Sequence, residues 1–364
     1  MRKRQRDVAA TAIACLLVAS AISSIIQANH TISAEQRNGI DDMRKPSARD
    51  VPKLTLPNVL LIGAQKGGSS ALAAWLFDQG ACRPKAFPGE PKSRSKEVHF
   101  FSNEQRYAKG IRFYARRFEH CGGKPLAMDA TPNYLPYADR VKNVYDMAGG
   151  EQGDHLKIIM ILREPVAREL SLYNHKAKFY REDNVARISF WGDVVKKDGQ
   201  LMTFGQFMAR TVLRGVDPTT GTCKQPFHSY WWCFSLYSRP LRQWLDLFDN
   251  NQLLLLSYEE LVRDEVMFRW RVQSFLGMNS THALSRRIEP ANTQNSKHKL
   301  SLPPCQIQSK LSTAFEKANE DLYELLSTKI EPSMEQHPFP KFVLSNCTAG
   351  KSIIKSGTAE EILL

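Results

Sequence analysis

Short apolar runs recur along this chain, and segments with a helical spacing of apolar residues follow most of them. Runs of this kind are typical of strands in a parallel sheet that is covered on both faces. The strands predicted in this way are residues 59–62, 126–128, 157–162 and 252–256. Pro165 is expected to open the helix after the third strand, and helices around Trp244 and Phe315 are expected to supply only core. The pattern therefore predicts an α/β fold, a single domain over residues 57–347 with a central parallel sheet flanked by helices.

Polar residues come directly after the predicted strands, at residues 63–70, 129–133, Arg163 and Ser257. In a parallel sheet the carboxyl ends of the strands share one edge, and ligands bind beyond that edge. The sequence therefore predicts that these four polar groups converge on one binding site.

The N-terminus predicts the route of the chain through the cell. Residues 1–7 are basic, and residues 8–26 carry no charge. Nineteen residues at about 1.5 Å each give roughly 28 Å, enough to cross the hydrocarbon core of a bilayer. With the basic end in the cytosol, we expect a type II signal anchor at 8–26, a stem at 27–56 and a tail at 348–364. The alternative is a cleaved signal peptide, since residues 19–21 (ASA) resemble a cleavage site.

The composition adds two constraints. A net charge of +13 and a pI near 9.4 favour an acidic partner, although a basic, solvated surface gives the same totals. No nucleic-acid-binding motif is present, so we expect no nucleic-acid partner. Six cysteines lie outside the apolar segment and permit three disulfides, with Cys223 and Cys233 as the most favoured pair. Asn29, Asn279 and Asn346 each begin a glycosylation sequon.

The junction after the first strand is a P-loop-like phosphate-binding loop. A glycine-bearing turn leads into a helix, where free N–H groups and the helix dipole favour an anion. Gly63 and Gly68 have the spacing of a nucleotide triphosphatase loop, but Ser69 stands where that loop has its lysine. A P-loop kinase is therefore disfavoured. The expected phosphate-binding residues are Lys66, Gly67, Gly68, Ser69 and Ser70.

Arg163 and Ser171 form a second predicted anion site. Arg163 ends the third strand, and Ser171 lies about two turns along the next helix. A guanidinium presents a two-pronged donor to phosphate, although it can instead pair with a carboxylate. Two phosphate sites on one sheet suggest a nucleotide that is phosphorylated at two positions.

The segment KEVHFF, residues 96–101, supplies acid–base groups. If it is extended, Glu97 and His99 point to one side, and Val98 and Phe100 to the other. A carboxylate beside an imidazole can take a proton from a hydroxyl. The alternative is a surface lysine–glutamate pair next to a structural histidine.

The motifs GAQKGGSSAL, KEVHFF and ILREPVARELSLY, in this order, resemble the Golgi carbohydrate sulfotransferases. The similarity is strongest to the heparan sulfate O- and N-sulfotransferases and extends over residues 58–276. It implies 3′-phosphoadenosine 5′-phosphosulfate (PAPS) as the sulfuryl donor, PAP as the product, a glycan acceptor and a lumenal catalytic domain anchored in the Golgi membrane. By this resemblance Lys66–Ser70 hold the 5′-phosphosulfate, and Arg163 with Ser171 hold the 3′-phosphate. Glu97 is the catalytic base, with His99 beside it and Lys66 as a further catalytic residue; no metal is expected.

The chain departs from the heparan 3-O-sulfotransferases at two positions. Ser102 stands where they have an aspartate, and Ala130 stands where they have a lysine. The disulfide hairpin of the family also does not carry over, because Cys223 and Cys233 precede the matching helix. Donor binding thus follows from the resemblance, whereas the acceptor sugar does not. A tyrosylprotein sulfotransferase and a catalytically degenerate glycan- and PAP-binding protein remain as alternatives.

Overall fold

The computed structural model describes residues 54–181, 192–224, 231–278, 286–290, 304–330 and 339–343. Its main sheet has four parallel strands in the order β2-β1-β3-β6. A separate antiparallel pair joins β4 to β5. The strands are β1 (Val59–Gly63), β2 (Met128–Asp129), β3 (Lys157–Leu162), β4 (Val216–Asp217), β5 (Thr222–Cys223) and β6 (Leu253–Ser257).

The main sheet is buried on both faces, as its apolar runs predicted. Successive residues of β1 enter different apolar clusters: Leu60 and Ile62 one, and Val59 and Leu61 the other. Neighbouring strands alternate in the same way, because side chains of a strand point to opposite faces. The helix-covered parallel sheet is therefore confirmed.

Helices surround the sheet and connect its strands. They are α1 (Ser69–Asp78), α2 (Glu104–Tyr107), α3 (Gly110–Ala115), α4 (Ala138–Ala148), α5 (Gly150–Asp154), α6 (Pro165–Arg181), α7 (Phe204–Arg210), α8 (Val212–Gly215), α9 (Ser238–Leu247), α10 (Tyr258–Arg263), α11 (Glu265–Leu276) and α12 (Cys305–Lys329). A third apolar cluster packs α6, α7, α8 and α12 together. Pro165 is the first residue of α6, as predicted.

One predicted helix and one predicted strand boundary were wrong. The sequence pattern also predicts a single helix over residues 258–276, but these residues form two helices, because Asp264 leaves the helical conformation and its carboxylate accepts the Met267 N–H at 3.0 Å, which begins α11. The second strand begins later than expected, since Ala127 makes an isolated bridge with Cys82 before β2 pairs with β1.

Two disulfide bonds link cysteines within the described part of the chain. Cys223 at the end of β5 is bonded to Cys233, which confirms the predicted pair. Cys82 after α1 is bonded to Cys121, with 5.8 Å between their Cα atoms. Cys305 is also disulfide-bonded.

The predicted anchor, residues 8–26, lies outside the described residues, as do the stem up to residue 53 and the tail. Among the helices of the described part, none has the length and apolar character needed to cross a membrane.

Candidate functional site

The loop from β1 to α1 folds tightly over the end of the sheet. A Cβ on Gly63 would lie 2.6 Å from the Pro132 carbonyl oxygen, and one on Gly67 would lie 2.4 Å from that of Ile161. Gly68 precedes α1 with φ of 100°, and no side chain caps the helix. The N–H groups of Ser69 and Ser70 at the start of α1 therefore have no side-chain capping acceptor, as an anion site requires.

Lys66 stands inside this loop among other cations. Its backbone has φ of 69°, a left-handed conformation that is uncommon for a residue with a side chain. Burial first, and then the charges of Arg163, Arg168 and Lys96, lowers the pKa of Lys66 to about 8. An anion bound here would stabilise the charged form of Lys66, because it would replace the hydration that burial removes and offset the repulsion from the neighbouring cations.

Arg163 follows β3 and connects the loop to α10. Its Nη1 donates to the Lys66 carbonyl oxygen at 3.3 Å, and its guanidinium lies 4.3 Å from the centre of the Tyr258 ring. The same ring would be 3.0 Å from a Cβ on Gly68. The Arg163 Nε is buried and has no hydrogen-bond partner among the described residues. A buried unpaired donor beside an uncapped helix fits a phosphate ligand.

Ser171 lies half-buried on α6, the helix that begins two residues after Arg163. The same helix carries Arg168, which is fully buried and donates from Nε to the Gln65 carbonyl oxygen at 2.9 Å. Nη1 of Arg168 also contacts Glu169 and Ser235. Arg168 thus holds the loop between β1 and α1 in place, a role that no sequence motif indicated. The joint role of Arg163 and Ser171 stays a prediction.

The structure brings together the acid–base residues of KEVHFF. The Glu97 Oε2 lies 3.2 Å from the His99 Nε2, and the His99 Nδ1 lies 3.3 Å from the Ser102 Oγ. Val98 and Phe100 are buried, so the predicted division of side chains holds. The segment is not a strand, however, because His99 has φ of 53°.

Glu97 is held as a carboxylate. Burial acts to raise its pKa, but the hydrogen bonds and positive charges of His99 and Lys96 outweigh burial and lower the pKa to about 2. Lys96 Nζ donates to Glu97 Oε1 at 2.6 Å and to Ser70 Oγ at 2.9 Å. The lysine therefore joins the acid–base segment to the first turn of α1.

A buried carboxylate supports the acid–base segment. Asp129, at the end of β2, accepts the hydroxyls of Thr131 at 2.6 Å, Tyr134 at 2.8 Å and Tyr114 at 3.0 Å. Burial raises the pKa of Asp129, although these hydrogen bonds act in the opposite direction.

The same network holds the backbone of the segment in place. The Val98 N–H donates to the Asp129 carboxylate at 3.4 Å, and the His99 N–H donates to the Thr131 hydroxyl at 3.3 Å. The Phe100 N–H donates to the Tyr134 hydroxyl at 2.7 Å. The end of β2 therefore sets the position of Glu97 and His99.

One group of metal-ligating residue types comes together in the described part, at Cys82, His120 and Cys121. Its two cysteines are bonded to each other, so their sulfurs are not thiolate ligands. The group is a disulfide with a neighbouring histidine.

Comparison with known proteins identifies the family of the chain. Residues 56–324 match the sulfotransferase domain family, which is well over half of the chain. The chain belongs to the sulfotransferase family. The predicted family is thus confirmed, and PAPS is the donor of this family.

Several relatives of this sulfotransferase are heparan sulfate glucosamine 3-O-sulfotransferases. Isoform 5 from Mus musculus is 24% identical over 223 residues, which cover 61% of this chain and 54% of the relative. Isoform 3B1 from Homo sapiens is 25% identical over 223 residues, which cover 61% of this chain and 46% of the relative. The chain thus spans about half the length of the curated relatives it matches. A sulfotransferase crystal structure from Alicyclobacillus acidocaldarius has a TM-score of 0.46 and 21% identity, covering 75% of this chain and 96% of that one.

Proposed function

We propose that this protein transfers a sulfuryl group from PAPS to a hydroxyl, less favourably an amine, of a glycosaminoglycan or related glycan. The observation that carries the proposal is the Lys96 bridge, which places the Glu97–His99 pair directly beside the first turn of α1. An anion site and a proton acceptor held together in this way suit transfer of an anionic group to a hydroxyl.

Each residue has a separate task in the proposed reaction. The first-turn N–H groups of α1 and the loop residues Lys66–Ser70 bind the 5′-phosphosulfate, while Arg163 with Ser171 binds the 3′-phosphate. Glu97 accepts the proton of the acceptor hydroxyl as its oxygen bonds to sulfur. Lys66 stabilises the negative charge on the phosphate oxygen as the bond from that oxygen to sulfur breaks. His99 holds the second Glu97 oxygen in place. Nothing is oxidised or reduced, and the electron pair leaves on PAP.

The two departures from the 3-O-sulfotransferases fall at this site. Ser102 is within reach of His99 and can orient the imidazole as a hydrogen-bond partner, but it adds no charge. Ala130 is buried in an apolar cluster, and its N–H donates to the Lys96 carbonyl oxygen at 3.1 Å. The site therefore lacks the two charged side chains that the 3-O-sulfotransferases have at these positions, so we expect the sulfated position or the acceptor sugar to differ from theirs.

We further propose that residues 8–26 anchor the protein in the Golgi membrane with residues 27–364 in the lumen. The uncharged segment and its basic flank support this proposal. Protease protection in sealed Golgi vesicles tests it. Digestion of the body without detergent would exclude the lumenal orientation.

Transfer of label from [³⁵S]PAPS across a panel of glycans tests the proposed reaction. The panel contains heparan, chondroitin and dermatan sulfates and simple galactosides, with Glu97→Gln as the paired variant. We expect transfer to one polymer and its loss in the variant. PAP binding without transfer to any acceptor would support a degenerate glycan- and PAP-binding protein instead. No PAP binding by the folded protein would refute the proposal.

A further inference from the structure

The side chain of Lys96 contacts two functional elements at once. Its Nζ lies 2.9 Å from the Ser70 Oγ on α1 and 2.6 Å from the Glu97 Oε1. Its backbone is fixed, because the N–H donates to the Ser93 carbonyl oxygen at 3.0 Å and the carbonyl oxygen accepts the Ala130 N–H at 3.1 Å. The side chain is 21% exposed, so the ammonium has room to exchange partners while its backbone stays in place.

Glu97 is poorly prepared to accept a proton in this arrangement. Each of its carboxylate oxygens already accepts a hydrogen bond, one from Lys96 and one from His99. The ionisable groups that act on it are Lys96, His99, Lys66 and Arg94. A carboxylate with a pKa near 2 is a weak base towards a hydroxyl. Catalysis by Glu97 therefore requires that one of these contacts is released.

An anion at the first turn of α1 would supply the competing partner. Ser70 belongs to that first turn, and Lys96 is already hydrogen-bonded to it. A phosphate bound there would attract the Lys96 ammonium more strongly than the neutral hydroxyl does. The ammonium is the only group among those acting on Glu97 that also contacts α1 in the described residues.

We propose that Lys96 is a positioning residue that releases the base when donor binds: it pairs with Glu97 in the donor-free protein and shifts towards the phosphate at the start of α1 in the donor complex. The proton acceptor is thereby freed only when a sulfuryl group is present to transfer. This inference rests on the proposed function, since it places the donor phosphates at the start of α1.

Nuclear magnetic resonance of the Glu97 carboxyl carbon, in full-length protein labelled with ¹³C-glutamate, tests the proposal. Its signal is assigned by its loss in Glu97→Gln, and the pKa is followed without and with saturating PAP. The variants are Lys96→Met, which removes the ammonium, and Lys96→Arg, which keeps a cation. Lys92→Met is the matched control, because Lys92 is an exposed lysine in the 3-10 helix Lys92–Ser95, which ends directly before Lys96.

Charge repulsion from bound PAP raises the Glu97 pKa in every variant. The proposal is therefore tested by the difference between variants in the pKa change that PAP causes. We expect Lys96→Met to raise the Glu97 pKa without PAP by about one unit or more, the effect of losing an adjacent opposite charge. PAP should also raise the Glu97 pKa in Lys96→Met, but by about one unit less than in the wild type. Lys96→Arg and Lys92→Met should behave as the wild type.

Equal PAP-induced changes in the wild type and Lys96→Met would overturn the proposal, because a merely structural lysine gives that result. An unchanged Glu97 pKa in wild-type protein with PAP bound would overturn it without any variant. Calorimetric titration with PAP separates the two levels of the argument. Folded wild-type protein that does not bind PAP refutes the proposed function, whereas PAP binding without the extra change in pKa refutes only the role of Lys96.

Discussion

Replacement of Lys66 by methionine should stabilise the folded protein at pH 7 while it abolishes transfer. Burial first, and then neighbouring cations, lowers the pKa of Lys66 from 10.5 to about 8. The folded protein therefore holds this ammonium less well than the unfolded chain does. At about 1.4 kcal/mol for each pKa unit, the charge lowers the free energy of unfolding by up to about 3 kcal/mol. Methionine keeps the apolar stem and removes the charge.

The pH dependence of this effect has a defined sign. Between pH 8 and pH 10.5 the unfolded chain keeps a proton on Lys66 that the folded protein has lost. The free energy of unfolding of the wild type therefore rises with pH across this window. Below pH 8 the wild type carries the whole penalty, and above pH 10.5 it carries none. The advantage of Lys66→Met should accordingly be largest at pH 7 and shrink towards pH 10.

Urea denaturation of full-length wild type and variant at pH 7 and pH 10 measures the effect. Lys124→Met is the matched control, because Lys124 is exposed and should change the free energy of unfolding by no more than about 0.5 kcal/mol. A Lys66→Met protein no more stable than the wild type at pH 7 would refute the reasoning. It would mean that the charged Lys66 ammonium does not lower the free energy of unfolding.

Three further substitutions test separate parts of the site. Glu97→Gln should lower kcat at least about 100-fold in the PAPS transfer assay with PAP affinity unchanged; full activity would exclude Glu97 as the base. Arg163→Ala should weaken PAP binding about 10- to 100-fold by calorimetry, and Arg239→Ala, at an exposed arginine, should not. Asp129→Ala should lower the free energy of unfolding by about 3 kcal/mol in urea, because three buried hydroxyls lose their acceptor, and should also lower kcat. Asp139→Asn, at an exposed helix position, is its control, and equal stability of the two would contradict the buried network.

Local pattern was sufficient to predict the sheet. Apolar runs located all four strands of the main sheet, and two of the polar groups after them, residues 63–70 and Arg163, contact each other as expected. Lys66 and Arg163 were singled out because a glycine loop and a strand end are visible in a short window of sequence. Their contact across 97 positions follows from the parallel pairing of β1 with β3.

The contacts that position the acid–base segment could not be predicted from local sequence pattern. Lys96 looked like half of a surface ion pair, because its second partner, Ser70, is 26 positions away. Asp129 was seen only as one polar residue at a strand end, since its hydroxyl partners are Tyr114 of α3 and two residues, Thr131 and Tyr134, of the turn that follows β2. Helical or strand periodicity carries no information on such contacts, which depend on how the elements pack.

The electrostatics of the site connect its stability to its proposed chemistry. Lys66, Arg163, Arg168 and Lys96 concentrate positive charge at one end of a buried sheet, and burial increases the energy of that repulsion. An anion bound at α1 would offset this repulsion at once. The same desolvation that makes Lys66 destabilising in the free protein therefore increases the free energy gained on donor binding. Since Glu97 is the carboxylate paired with Lys96, it is under this proposal also the group whose basicity responds when the anion binds. In the proposed reaction, donor affinity and activation of the base would thus have one electrostatic origin.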